Sequence, residues 1–345
     1  MIPTADQQLG FLTKLQRLFA EGDFTATYKF ALLMAMAELA VERGRDDDCE
    51  LPLTHRDLAS KFIEFYWQQS IPYSASGGIA EVLVQNLGQQ AAVVKAIVSF
   101  RKKHPNATVL SASGMLGYSN LLTKVADTVR RQPVTYLQNL GGSTAPFLYE
   151  PRAHAIVLRR GVAYCFRRFQ PLVQSLARGR WIEHIKSNQR NHAVLGQADD
   201  LEAFLFETPS KTLALISVEL HRLTGSKCFY CGKSVTDADV DHFIPRALYP
   251  RDLAHNFVLS HSACNRSKSD TLAARSHLER WISYVERHSD DLSEIGAKAG
   301  RVSDVAAVRS VARWGYTNAA NAGAQAWLRS KTYETVDGGY LTCLA

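Results

Sequence analysis

Two pairs of metal-seeking side chains, Cys228 with Cys231 and His261 with Cys264, constrain this chain more than any other feature of its 345 residues. Each pair has two residues between its members, a spacing that lets a tight turn or the first turn of a helix aim both at one tetrahedral ion. The chain between the pairs must therefore double back on itself. Thiolates with one imidazole suit zinc, and four protein ligands fill its tetrahedron, so the expected ion is structural and closed to substrate. The other cysteines, Cys49, Cys165 and Cys343, are isolated, which argues against a disulfide framework. A redox CxxC would open a helix near a βαβ pattern, whereas "CFYCGKS" reads as a turn.

Between the pairs lies "VDHFIP", residues 240 to 245, where an aspartate stands against a histidine in a short strand that proline ends. The chain runs on through "HNFVL" and "CNRSK". With Asp241 and His242, Asn256 fourteen residues after His242, and Asn265 nine residues further on, the stretch resembles the HNH endonuclease family. The resemblance runs from Cys228 to Lys268 and says nothing about the rest of the chain. Many zinc-bearing members have cysteine where this chain has His261, an exchange that zinc tolerates. The resemblance implies a small zinc-stapled ββα-metal module that hydrolyses DNA phosphodiester bonds, leaving 5′ phosphate and 3′ hydroxyl. One module makes one nick, and a double-strand cut takes two molecules or two events.

The residue chemistry leads to the same roles. Phosphodiester hydrolysis needs an activated water, a stabiliser for charge on phosphorus-bound oxygens, and relief for the departing 3′ oxygen. His242, with an ordinary pKa of ~6.5, is a general base available near neutral pH. Asp241 carboxylate and the Asn265 side-chain carbonyl are hard oxygen ligands suited to catalytic Mg²⁺ or Mn²⁺. Asn256 is expected to orient the loop or the imidazole. Cys264 and Asn265 are neighbours, so the zinc that anchors the helix start also aims the catalytic ligand. Lys268 and Arg266 are candidate phosphate contacts.

Adjacent strand residues point to opposite faces, so Asp241 and His242 can line one pocket only where the strand ends or twists. Asp239 alternates onto the Asp241 side, but aspartate is common before strands and receives no role. His255 reads as a packing residue, and His221, His277 and the "DDD" at 46 to 48 as surface.

Elsewhere apolar residues recur at helical spacing, as in "TYKFALLMAMAELAVER" and "AAVVKAIVSFRKK", and "LTHRDLASKF" opens with a Thr54–Asp57 capping pattern. The expected fold is mainly α with the small HNH module embedded in it. The expected divisions are a helical domain over 1–225, the nuclease module over 226–272, and a C-terminal helical region over 273–345. The "AIVLRRGVAYCF" stretch is expected as a short hairpin leading into a basic helix. The formal net charge is +7, and residues 151–190 hold nine Lys or Arg against Glu183 alone, which suits a polyanion or a solvated helical face. No glycine pair is followed by the Gly-Lys-Ser/Thr of a phosphate loop. The longest apolar run, Phe30 to Val41, is shorter than the ~20 residues of a membrane span, and no secretory leader opens the chain, so a cytoplasmic location without membrane partners is expected.

DNA is the expected partner. HNH proteins with helical extensions resemble effectors of bacterial restriction or antiphage defence, which implies other subunits of such a system as further partners. The alternative at this point is a non-catalytic zinc-stabilised module that binds nucleic acid or protein.

Overall fold

The structure, a computed structural model, describes residues 2–74, 78–196, 200–207 and 209–344. The residues left out within the first expected helical domain are 1, 75–77, 197–199 and 208. The chain is mainly helical, with small antiparallel sheets. It divides into two compact units, Met1–Ala107 with Ala112–Glu207, and Thr108–Ser111 with Thr208–Ala345. No helix among the described residues is long and apolar enough to cross a membrane.

In the first unit the helix Tyr28–Arg43 is buried almost all round, as its Ala, Leu and Met content dictates. The helices His55–Gln69, Val162–Arg168 and Gln170–Ser187 pack around it. His55–Gln69 starts with the expected capping box, Thr54 Oγ1 accepting from Asp57 N at 3.1 Å and Asp57 Oδ2 from Thr54 N at 3.0 Å. Lys61 enters this core between two acids, 3.3 Å from Glu38 and 2.5 Å from Glu42. The buried charges are tolerable because they are paired.

The stretch expected as a hairpin folds differently. Ala155–Leu158 is the central strand of a three-stranded sheet between Leu51–Thr54 and Tyr149–Pro151, but Val162–Arg168 is helical. Gly161 makes the switch at φ +76°, where a side chain would be strained. The basic run is also not the free face that its composition suggested. Arg152 and Arg159 pair with Glu150, Arg160 with Asp48, Arg167 with Asp46, and Arg180 with Glu183. Two of those acids belong to the "DDD" read as surface, so the run serves largely to tie the unit together.

The second unit is built on a two-stranded hairpin, Ala238–His242 against Phe257–His261, in the register Asp239↔Ser260, Asp241↔Val258 and His242↔Phe257. The helix Ser210–Thr224, read from sequence as part of the first region, covers one face of this hairpin. Its Ile216 and Leu220 join Val235, Phe257, Leu259 and Leu292 in one buried cluster, with Ala238 and Val240 packed against it. The short helix Ser262–Lys268 covers the other face. Three further helices, Arg275–Arg287, Ser289–Ala299 and Val305–Asn321, precede a second hairpin of Gln325–Arg329 with Thr332–Thr335. That hairpin packs on the short helix.

The nuclease-like hairpin therefore depends on a helix that precedes the first cysteine. Leu220 is fully buried, and its truncation to alanine is expected to destabilise the second unit by ~2–5 kcal/mol. Denaturant unfolding followed by tryptophan fluorescence checks this, and an unchanged midpoint would contradict the packing described.

Candidate active site and metal centre

The first cysteine pair sits on a turn closed by backbone bonds. Gly232 N donates to Cys228 O at 2.9 Å and Cys228 N to Lys233 O at 2.9 Å. Gly232 lies at φ +70°, which admits glycine without strain. Phe229 N donates to Leu259 O at 2.8 Å, fixing the turn to the second strand. His261 ends that strand and Cys264 lies in the first turn of the short helix. The ligand atoms of Cys228, Cys231, His261 and Cys264 all lie within 4.8 Å of one another. Tetrahedral Zn–S bonds of ~2.3 Å place sulfurs ~3.8 Å apart, so the set fits zinc with little movement.

The ring nitrogen that faces the cluster is identifiable. His261 Nδ1 lies 3.3 Å from Cys231 Sγ, while Nε2 lies 3.0 Å from the carbonyl of Ser234. A carbonyl only accepts, so Nε2 carries the proton and Nδ1 the metal-binding lone pair. The thiols also ask for a cation. Burial raises Cys228, but backbone N–H groups of Cys231, His261 and Tyr230 outweigh it and bring the thiol down to about 7. Burial, then the neighbouring Cys228 and Cys231 charges, push Cys264 up to about 12. Three thiolates side by side repel, and a divalent ion removes that repulsion.

The first strand stays regular through His242, so its side chains alternate strictly. The expected convergence of Asp241 and His242 on one pocket does not occur within it. Asp241 points to the short-helix side, where it is 6% exposed. Its Oδ2 accepts from Tyr230 Oη at 2.5 Å and lies 3.1 Å from Lys268 Nζ. Burial, then the Asp241 charge, raise the Tyr230 phenol well above its ordinary value, so it stays a donor. Lys268, expected at the surface against phosphate, is 1% exposed. Its ammonium also donates to His242 O at 2.9 Å, which leaves it neutralising Asp241 instead. Burial pulls the Lys268 ammonium below its usual range, and Asp241 opposes this.

Asn265 meets Asp239 rather than Asp241. Its Nδ2 donates to Asp239 Oδ2 at 3.1 Å, and Ser262 Oγ donates to Asp239 Oδ1 at 2.9 Å. Asp239, left without a role at the sequence level, thus shares the strand face of Asp241 beneath the short helix. The period-two "DADVD" was the available signal. Asp239, Asp241 and Asn265 bring oxygens, the donor type that Mg²⁺ or Mn²⁺ takes, to one face, where Tyr230 and Lys268 already hold both oxygens of Asp241. Arg266 is exposed beside them.

His242 faces the other way, its ring centroid 4.9 Å from that of Phe257, and its Nε2 lies 2.6 Å from Asp252 Oδ1. Burial raises the Asp252 carboxyl, but the His242 hydrogen bond and then Arg246 and Arg301 hold it below its ordinary value. An ionised carboxylate only accepts, so Nε2 bears a proton and Nδ1 is the nitrogen left free of Asp252. Neither Asp252, ten residues from His242 in an irregular loop, nor Arg301 has a spacing that reveals it in the sequence. Asn256 acts on backbone rather than on the imidazole. Its side chain accepts from Ile244 N at 2.8 Å and donates to Ile244 O at 2.9 Å, clamping the chain just beyond His242.

The region after Lys268 braces this assembly. Trp327 Nε1 donates to Ser267 Oγ at 3.0 Å, and Arg280 donates to the carbonyls of Phe229 at 2.8 Å and Tyr230 at 2.9 Å. His277, read as surface, is buried and stacks on Trp327 at 5.5 Å.

Residues 8–205 match the family model described as Domain of unknown function (DUF8808), and residues 228–271 match the model described as HNH endonuclease. No curated protein and no solved structure matches the chain.

Two outcomes are expected from this geometry. Purified chain should carry one zinc per molecule by atomic emission, and Cys264→Ser should lose it together with the folding transition of the second unit. Tyr230→Phe should keep the zinc but cost ~1.5–3 kcal/mol, the value of a buried hydrogen bond to a charged group, read from chemical unfolding.

Proposed function

We propose that this chain, which belongs to the family described as Domain of unknown function (DUF8808) and carries an HNH endonuclease domain, hydrolyses phosphodiester bonds in DNA. The observation that carries the proposal is the 2.6 Å contact between His242 and Asp252 at the end of a strand whose other face bears Asp239, Asp241 and Asn265. An imidazole with one nitrogen pinned by a carboxylate is a base with a fixed tautomer, the arrangement that general-base catalysis uses.

In this reading His242 Nδ1 takes the proton from the attacking water while Asp252 stabilises the imidazolium that forms. Asn256 keeps the strand end in place under the ring. Asp239, Asp241 and Asn265 hold the divalent cation, Mg²⁺ or Mn²⁺. When bound there, the cation supplies charge stabilisation at the phosphate and at the departing 3′ oxygen. Lys268 positions Asp241, and Arg266 meets a flanking phosphate. Zinc on Cys228, Cys231, His261 and Cys264 is structural. The setting we propose is a cytoplasmic effector of bacterial restriction or antiphage defence, working with other subunits of that system.

A second reading, a zinc-stabilised binding module without catalysis, draws on one observation. Both Asp241 oxygens are already answered by Tyr230 and Lys268. Digestion of supercoiled, linear and single-stranded DNA and of RNA, with Mg²⁺ and with Mn²⁺, separates the two. Wild type should cleave DNA, and His242→Ala should lose ~10²–10⁴-fold in rate with zinc content unchanged. Asp252→Asn should lower the rate with little change in KM. An unchanged rate in His242→Ala removes the base proposed here, and a wild type inert under every metal leaves the binding module. Phage plating on cells carrying wild type or His242→Ala tests the defence setting.

A further inference from the structure

Most arginines in the basic run of residues 151–190 have acid partners, which raises the question of where unpaired positive charge lies on the first unit. Residues 82–126 hold five Lys or Arg (Lys95, Arg101, Lys102, Lys103 and Lys124) and no Asp or Glu. The stretch folds as the helix Ala92–Lys103, a connecting segment and the helix Tyr118–Arg131, which pack side by side. Their juncture forms an open groove of about 490 Å³. Ser99, Lys103 and His104 line it from one side, and Leu116, Asn120 and Lys124 from the other, over a floor that includes Phe100.

The charges here are available. Lys102, Lys103 and Lys124 are exposed, and among the described residues none of the three has a carboxylate within salt-bridge distance. Arg101 is different, spread over the Trp67 ring at 5.2 Å and bonded to its carbonyl, so it belongs to the packing. The acid that follows Lys124 on its own helix is already engaged. Asp127 accepts from Arg130 at 2.8 Å and Arg131 at 3.0 Å. The rim therefore presents two lysines with hydroxyl and amide donors, and Leu116 stands 91% exposed beside them. Cations facing each other across a groove, supplemented by neutral donors, are the complement of a chain of phosphates.

We propose that this groove between the helices Ala92–Lys103 and Tyr118–Arg131 is a sequence-independent binding surface for a phosphodiester strand. It lies on the unit matched by the DUF8808 model, far along the chain from the nuclease residues. The inference rests on the nuclease reading only in taking nucleic acid as the partner. The groove contributes affinity and positioning, and takes no part in bond cleavage.

The test uses the full chain with His242→Ala and without divalent cations, so that bound nucleic acid stays intact. Labelled duplex DNA, single-stranded DNA and RNA of equal length are titrated by fluorescence anisotropy at several salt concentrations. Removing two phosphate contacts through Lys103→Gln with Lys124→Gln should flatten the log–log salt slope by ~1.8 for duplex or ~1.4 for single strands. Lys186→Gln with Arg190→Gln removes the same charge from exposed positions on another part of the unit, and should leave the slope unchanged. Comparing the three nucleic acids identifies which strand the groove holds. The proposal is overturned if the parent chain binds none of them, if the two double variants lose equally, or if poly-glutamate competes as well as DNA at equal charge. An inert wild-type enzyme would defeat the catalytic reading without touching this measurement, which uses a chain that cannot cleave.

Discussion

Asp241 is a carboxylate withdrawn from water, and the second unit is organised around answering it. The two groups that do so come from different places in the sequence, Tyr230 from the turn between the first two zinc ligands and Lys268 from the end of the short helix. A buried charge left without a partner costs several kcal/mol, so turn, strand and helix are held to one arrangement. The metal site and the strand face are thus one mechanical object. Tyr230 links them directly, because the residue that reaches Asp241 sits one position before Cys231.

Adjacent on a regular strand, the side chains of Asp241 and His242 have no partner in common among the described residues. A regular strand sends them to opposite faces, and each face then acquires its own task. The Asp241 face collects Asp239 and Asn265 under the short helix, while the His242 face supplies a carboxylate partner in Asp252. Asn256 works at the seam between the two, through the backbone of Ile244.

The parts legible in the sequence were those with short-range spacing. Paired zinc ligands, the Asp-His dipeptide, the Thr54–Asp57 cap and the apolar helix Tyr28–Arg43 each carry their signal within a few residues or at a fixed period. What stayed hidden depends on contacts between distant segments. Asp252 becomes a neighbour of His242, and Arg301 of Asp252, only through the fold. The acid partners of the basic run lie mostly outside it, as Asp46 and Asp48 do, so local composition could not show that the charge is spent. Lys268 looked like a surface cation because helical spacing gives a direction but not what covers it. Asp239 was visible as a period-two repeat of Asp241, yet only its contact with Asn265 gives it a place in the site.

The hydrogen bond from Trp327 to Ser267 spans sixty residues of sequence. During synthesis at ~5–20 residues per second, the short helix waits several seconds for its brace after it has itself been made. All four zinc ligands have been made once Cys264 is, whereas Arg280, which holds the carbonyls of Phe229 and Tyr230 in the first ligand turn, and Trp327, which holds Ser267, come later. The order of synthesis thus separates making the ligand set from making the groups that brace it.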